Sequence, residues 1–143
     1  LSESAQKKLL DAGIPAEMTA KFQQGLCAIS LPEQSAILSA FANDVEPKLV
    51  YAQTVLACAR AGDVFLGIST SGNSENVVLA TKTAKAVGTT AIGLTGAAGG
   101  KLAEICDITI RVPATETFIV QEYHLPVYHA ICAEVERRLF DET

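Results

Sequence analysis

The sequence predicts an α/β fold, a doubly wound parallel sheet flanked by helices. Three observations carry that reading. Short apolar runs recur without clean polar alternation, which suits strands covered on both faces. Amphipathic helical stretches separate those runs, and alternation of the two builds a parallel sheet. Pro47, Gly62 and Gly88 stand where helices should start or stop.

Taken in order, residues 2–12 read as one polar helix closed by Gly13, with Pro15 barring its continuation. Residues 1–25 as a whole look like a peripheral or inserted segment of a single domain spanning 1–143. The sheet and helices occupy residues 26–143, starting with a strand at 26–31 (LCAISL). A helix at 48–61 (KLVYAQTVLACARA) follows Pro47 and ends before Gly62. Next come a strand at 64–69 (VFLGIS), a helix at 75–87 ending at Gly88, and a strand at 89–95 (TTAIGLT). A short helix around 101–106 leads to the last strand, 108–112 (ITIRV). Residues 117–140 are helical in pattern, with Pro126 a point where the helix is expected to distort.

Composition excludes several classes. The chain has 143 residues, 49% apolar and 19% charged, which is globular rather than disordered. A net charge of -5 without a basic cluster argues against a nucleic-acid partner. No apolar run reaches the roughly 18 residues of a membrane span, and no signal peptide is visible. The expected location is cytoplasmic. Cys27, Cys58, Cys106 and Cys132 form no C-x-x-C pair and lie among apolar neighbours, so they read as buried, reduced thiols.

The chemistry concentrates in "STSGNS", residues 69–74, between a strand and a helix. Ligands of open α/β sheets bind at the carboxyl ends of strands. The first amides of a helix lack internal partners and sit at the positive end of its dipole. Ser69, Thr70, Ser71 and Ser74 add hydroxyl donors, and Gly72 permits close backbone approach. Together these make a phosphate cradle without a lysine. An ordinary helix cap, with Ser71 or Asn73 holding the first amides, is the competing reading. A Walker loop is excluded because no G-K-[ST] follows.

"GDVFLGISTSGNSENV", "LTGAAGGKL" and "RVPATETFIVQEYHLPVYHA" follow one another in an order that resembles the sugar isomerase (SIS) fold. Within it the chain is most similar to phosphoheptose isomerases. The resemblance runs from about Ala28 to the C-terminus. It implies a parallel sheet of order 2-1-3-4-5, a homotetramer, and conversion of sedoheptulose 7-phosphate to a heptose 7-phosphate. It also implies that Ser69, Thr70, Ser71 and Ser74 bind the substrate phosphate. Asn43 and Asp44 of "AFANDV" match a sugar-contacting stretch, although Ala42 replaces its serine. From the residues alone, that pair reads as a turn or helix cap.

The resemblance further pairs Gln121 with His129, eight residues on. It implies that His129 is an acid–base group, that Gln121 contacts substrate, and that both are ligands where zinc is present. No nucleotide cofactor is implied. Aldose–ketose isomerisation needs a base, an acid and carbonyl polarisation, and imidazole titrates near neutrality. His124 is not selected by the pattern and reads as a hydrogen-bonded packing residue.

The sequence also departs from the family. Thr115-Glu116-Thr117-Phe118 stands where many members have a histidine-glycine or aspartate-containing stretch. The family's first strand, its "GNGGS" loop and a histidine and glutamate four residues apart have no counterpart. The chain is therefore expected to begin after the first strand and the principal base. The alternative is a non-catalytic SIS module that binds sugar phosphates, as a regulator or a replication-initiator-binding scaffold. An upstream helix-turn-helix would favour that alternative, and an upstream "GNGGS" would favour the isomerase.

Overall fold

The computed structural model describes residues 1–141. They form two compact units, Leu1–Ile29 with the chain from Glu136 onward, and Ser30–Val135.

In the first unit, Ser2 caps helix α1 (Glu3–Asp11), its hydroxyl accepting the Ala5 N–H at 3.3 Å. That bond satisfies one of the orphan first-turn amides. Helix α2 (Ala16–Thr19) begins directly after Pro15, and the Thr19 hydroxyl donates to the Ile14 carbonyl. The strand expected at 26–31 is absent. Residues 26–30 are irregular and Leu31 opens a single 3-10 turn, Leu31–Glu33, with Pro32 inside it. An apolar run specifies burial, whereas a strand also needs a ladder partner for its N–H and C=O groups. No strand pairs with this run, and Leu26 and Ile29 are exposed.

The second unit opens with a π-helical turn, Ile37–Phe41, running into a three-residue α3 (Ala42–Asp44). A 3-10 turn at Pro47–Leu49 feeds α4 (Val50–Cys58). The remaining elements are β1 (Val64–Ile68), α5 (Glu75–Val87), β2 (Thr90–Thr95), α6 (Gly100–Ile105), β3 (Ile108–Arg111) and α7 (Thr117–Glu136). The three strands are parallel in the order β1-β2-β3, with Gly67 opposite Gly93 and Thr95 opposite Arg111.

Both crossover helices lie on one face. A Cβ on Gly67 would meet Val77 at 3.2 Å and Thr81 at 3.3 Å, on α5. One on Gly93, its register partner, would meet Leu102 and Cys106 beneath α6. Successive right-handed crossovers running the same way along a sheet must fall on the same side. On this side α4 packs against α5, where Val55, Ala80 and Ala84 form a core joined by Tyr51, Ala59 and Phe65. The small alanines let the helices approach closely.

The opposite face departs from the expectation of strands covered on both sides at β1 and at Ile108, whereas Leu94 of β2, on that same face, is fully buried. Val64, Leu66 and Ile68 alternate onto it and are 65%, 40% and 45% exposed, and Ile108 is also open. The sequence pattern recorded apolarity on both faces; the two crossovers cover one, and the other is closed at Leu94 but left open along β1. The cysteines likewise depart from expectation: all four are free thiols, but Cys27, Cys58 and Cys132 are exposed. Cys58 ends α4, and Cys132 lies on α7, whose buried residues are Val120 and His124. Cys106 is half-buried, and burial, with Asp107 alongside, pushes its thiol pKa up. Among the described residues no helix is long and apolar enough to cross a membrane.

Pro126 does not break α7. Proline deprives the Glu122 carbonyl of its partner, but both residues are exposed, so the lost bond falls on the solvent side of the helix.

Candidate functional site

The hydroxyl loop leaves the carboxyl end of β1. The Ser69 N–H extends the ladder by donating to the Leu94 carbonyl at 3.0 Å. Its side chain is almost fully buried, and its hydroxyl lies 2.9 Å from that of Ser74. Ser74 is the N-cap of α5 but makes no side-chain capping bond to it. The Ser74 hydroxyl is engaged with Ser69 instead, and Asn76 Oδ1 accepts the Val77 N–H at 2.9 Å, so the Glu75 and Asn76 amides are the ones at the mouth of the loop. Gly72, with φ +68, turns the chain between them, its N–H donating to the Ser69 carbonyl.

The Ser71 hydroxyl accepts the Asn73 N–H at 3.1 Å. An accepting hydroxyl keeps its own hydrogen free to donate elsewhere. The loop thus presents a cluster of donors at the dipole's positive end, an arrangement suited to an anion.

Other elements converge on this loop. The Thr70 carbonyl accepts the Gly96 N–H at 2.9 Å. A Cβ on Gly96 would meet the Thr70 and Ala114 carbonyls at 2.8 Å and Val120 at 3.0 Å. Hence the ends of β1 and β2 and the start of α7 meet at Gly96, and Gln121 follows directly. Lys48 pairs with Glu75 in the first turn of α5 at 2.9 Å, so the 3-10 turn lies beside the loop's edge. Glu75 holds the Lys48 ammonium pKa up, through a hydrogen bond and through its charge.

Asn43 and Asp44 lie just before that turn, both exposed. The Asn43 amide donates to the Asp44 carboxylate at 2.8 Å, so each occupies one polar atom of the other. His129 is different. It is exposed on α7 and edge-on to the Tyr128 ring, with centroids 5.0 Å apart. Eight residues of unbroken helix place it about 12 Å along the axis from Gln121. Within this chain Gln121 belongs to the loop end of α7, and His129 lies far down the same helix.

A zinc ion takes about four donors at about 2 Å. Gln121 and His129 offer two, on one continuous helix, and both are exposed. Among the described residues no three His, Cys, Asp or Glu side chains gather to hold a metal. These residues by themselves do not fit a zinc centre.

Two residues carry more than the sequence assigned them. His124 is 2% exposed, as a packing residue should be, yet neither ring nitrogen has a hydrogen-bond partner. Asn73 does act as a helix cap, but of α6 rather than α5: its Oδ1 accepts the Lys101 N–H at 3.1 Å. The N-cap position of α6 is Gly99, which has no side chain to offer. That vacancy in the sequence was the available signal.

The SIS domain family model matches residues 36–133. The chain belongs to the SIS domain family. It is 42% identical over 130 residues to a phosphoheptose isomerase of Aneurinibacillus thermoaerophilus, covering 89% of this chain and 66% of that protein. Against the phosphoheptose isomerase of Clostridium acetobutylicum it is 42% identical over 132 residues, covering 90% and 67%. Among solved structures, phosphoheptose isomerase from Neisseria gonorrhoeae superposes with a TM-score of 0.73 at 37% identity, over 93% of this chain and 72% of that one. The Francisella tularensis phosphoheptose isomerase gives 0.76 at 32% identity, over 85% and 67%. The chain spans about two thirds of the length of the curated relatives it matches. The SIS domain so defined contains the whole hydroxyl loop, Asn43, Asp44, Gln121 and His129.

Proposed function

We propose that the protein is a phosphoheptose isomerase, interconverting sedoheptulose 7-phosphate and a heptose 7-phosphate. The observation that carries this is the donor cluster of residues 69–74 at the head of α5, within a SIS domain similar to enzymes of that name. Ser69, Thr70, Ser71 and Ser74 hold the phosphate, and Asn43, Asp44 and Gln121 contact the sugar. His129 serves as an acid–base group. Because it lies two turns from Gln121, it acts at a site completed by groups outside this chain's own α7, such as another subunit of a homotetramer. Any zinc bound through Gln121 and His129 needs further donors from the same source. A homotetramer in the cytoplasm is part of this reading, and the open apolar face of β1 supports assembly.

Removing a hydroxyl that donates to an anion costs about 1.5–3 kcal/mol. Ser71→Ala in the intact protein should therefore weaken sedoheptulose 7-phosphate binding by about tenfold or more. Ser71→Asp, which adds like charge, should abolish it. Wild-type affinity in the Asp variant sinks the phosphate assignment. Tight binding of the sugar phosphate with no turnover in the wild type establishes the non-catalytic SIS module instead.

A further inference from the structure

We propose that Asn73 is a positioning residue, aiming the Ser71 hydroxyl at the phosphate and fastening the loop to α6. The inference rests on residues 69–74 being the phosphate cradle.

An asparagine side chain has two amide donors and one carbonyl acceptor. Here both ends are used, in opposite directions. Asn73 Nδ2 donates to the Ser71 carbonyl at 3.0 Å, while Oδ1 accepts the Lys101 N–H at 3.1 Å. Its backbone N–H meanwhile donates to the Ser71 hydroxyl at 3.1 Å. Ser71 is therefore gripped at two oxygens by one residue. The bond to the carbonyl keeps a negative dipole turned toward Asn73. The bond to the hydroxyl fills an acceptor position and frees the O–H hydrogen to donate to an anion.

The α6 end is equally committed. The Leu102 N–H donates to the Gly72 carbonyl at 3.0 Å, so loop residues satisfy two successive first-turn amides of α6. A Cβ on Gly100 would meet the Ser71 carbonyl and Asn73 Nδ2, the latter at 2.8 Å. The two segments thus pack backbone to backbone, and Asn73 is the side chain at the junction. Donors fixed before the ligand arrives need not be ordered by it, which favours affinity.

A positioning role predicts a selective kinetic signature. In the intact protein, Asn73→Ala should raise KM for sedoheptulose 7-phosphate by about three- to tenfold and leave kcat within about threefold. Inhibition by inorganic phosphate should weaken in parallel. Because Asn73 acts through Ser71, the Ser71→Ala/Asn73→Ala double variant should lose less than the product of the two single losses. Asn73→Asp keeps the acceptor for Lys101, so it should fold even if Asn73→Ala does not, yet bind phosphate more weakly. Unchanged phosphate inhibition in Asn73→Asp, or strictly multiplicative losses in the double variant, overturns the proposal. If Ser71→Ala weakens binding while Asn73→Ala leaves it unchanged, the cradle stands and the role of Asn73 fails. If Ser71→Ala itself binds like wild type, the cradle falls and this inference with it.

Discussion

Gly72 and Gly99 touch backbone to backbone. A Cβ on Gly72 would overlap the Gly99 carbonyl, and at φ +68 it would also meet the steric cost of the left-handed region. Gly72→Ala should therefore destabilise the protein by about 2 kcal/mol or more, combining conformational strain with a backbone clash. Urea denaturation gives the stability, and phosphate inhibition gives the state of the loop. A wild-type midpoint with wild-type inhibition would show that the two loops are not in contact in solution.

A second expectation concerns acid. Lys85 hydrogen-bonds Asp107, and the Ala91 N–H donates to the same carboxylate at 2.8 Å. Those two donors, the lysine first, hold the carboxyl pKa below its usual value of 3.8. A depressed native pKa contributes stability above the unfolded-state pKa and loses it as pH falls through the native one. Asp107→Asn should be less stable than wild type at pH 7, and the gap should close on acidification below about pH 4. Urea midpoints at several pH values test this. A gap that is constant with pH would remove the ion pair from the account.

Much of the fold was legible because it depends on local signals. Residues 75–87 have a helical pattern ended by Gly88, and the helix stops there with Gly88 at φ +95. The runs beginning at Val64 and Ile108, and the one at 89–95, became strands whose ends shift by no more than a residue. The misread parts depend on neighbours. Leu26–Cys27 is as apolar as Phe65–Leu66, but only the latter has a paired strand alongside. Pro126 signalled a break, yet the helix runs on through it, because the lost bond falls on the solvent side. At the site, the hydroxyl loop was visible in "STSGNS", whereas Asn73's partner is 28 residues away and no local pattern encodes it. His129 was visible by resemblance alone, and the chain's own geometry does not bring it to the loop.

His124 offers a test in which a loss of polarity should do no harm. An imidazole must carry at least one N–H, and burying it unpaired costs about 1–3 kcal/mol. Replacing it by an apolar side chain of similar size removes that cost. His124→Leu should fold with unchanged or higher stability, by up to about 2 kcal/mol. Thermal unfolding of the intact protein reads this directly. A drop of several degrees would mean that the ring has a partner in solution, and activity measured on the same variant would show whether that partner is substrate.

Leu66 and Leu94 point to the same side of the sheet, yet one is 40% exposed and the other 0%. Their substitutions should therefore separate. Leu94→Ala removes buried methylenes and leaves a cavity, costing about 2–5 kcal/mol. Leu66→Thr keeps a strand-compatible branched side chain on an open surface, so its cost should stay within about 1 kcal/mol. Val64 and Ile68 flank Leu66 on the same face, so β1 presents an apolar strip open enough to attract a cover, with half-buried Ile92 of β2 between it and exposed Ile108 of β3. Urea titrations at two protein concentrations distinguish the cases. Equal losses at both positions, independent of concentration, would place part of the polypeptide over β1. A Leu66→Thr loss that grows with protein concentration would place a second copy there, because assembly stabilises by mass action. A small, concentration-independent effect leaves the face open to solvent, as its exposure predicts.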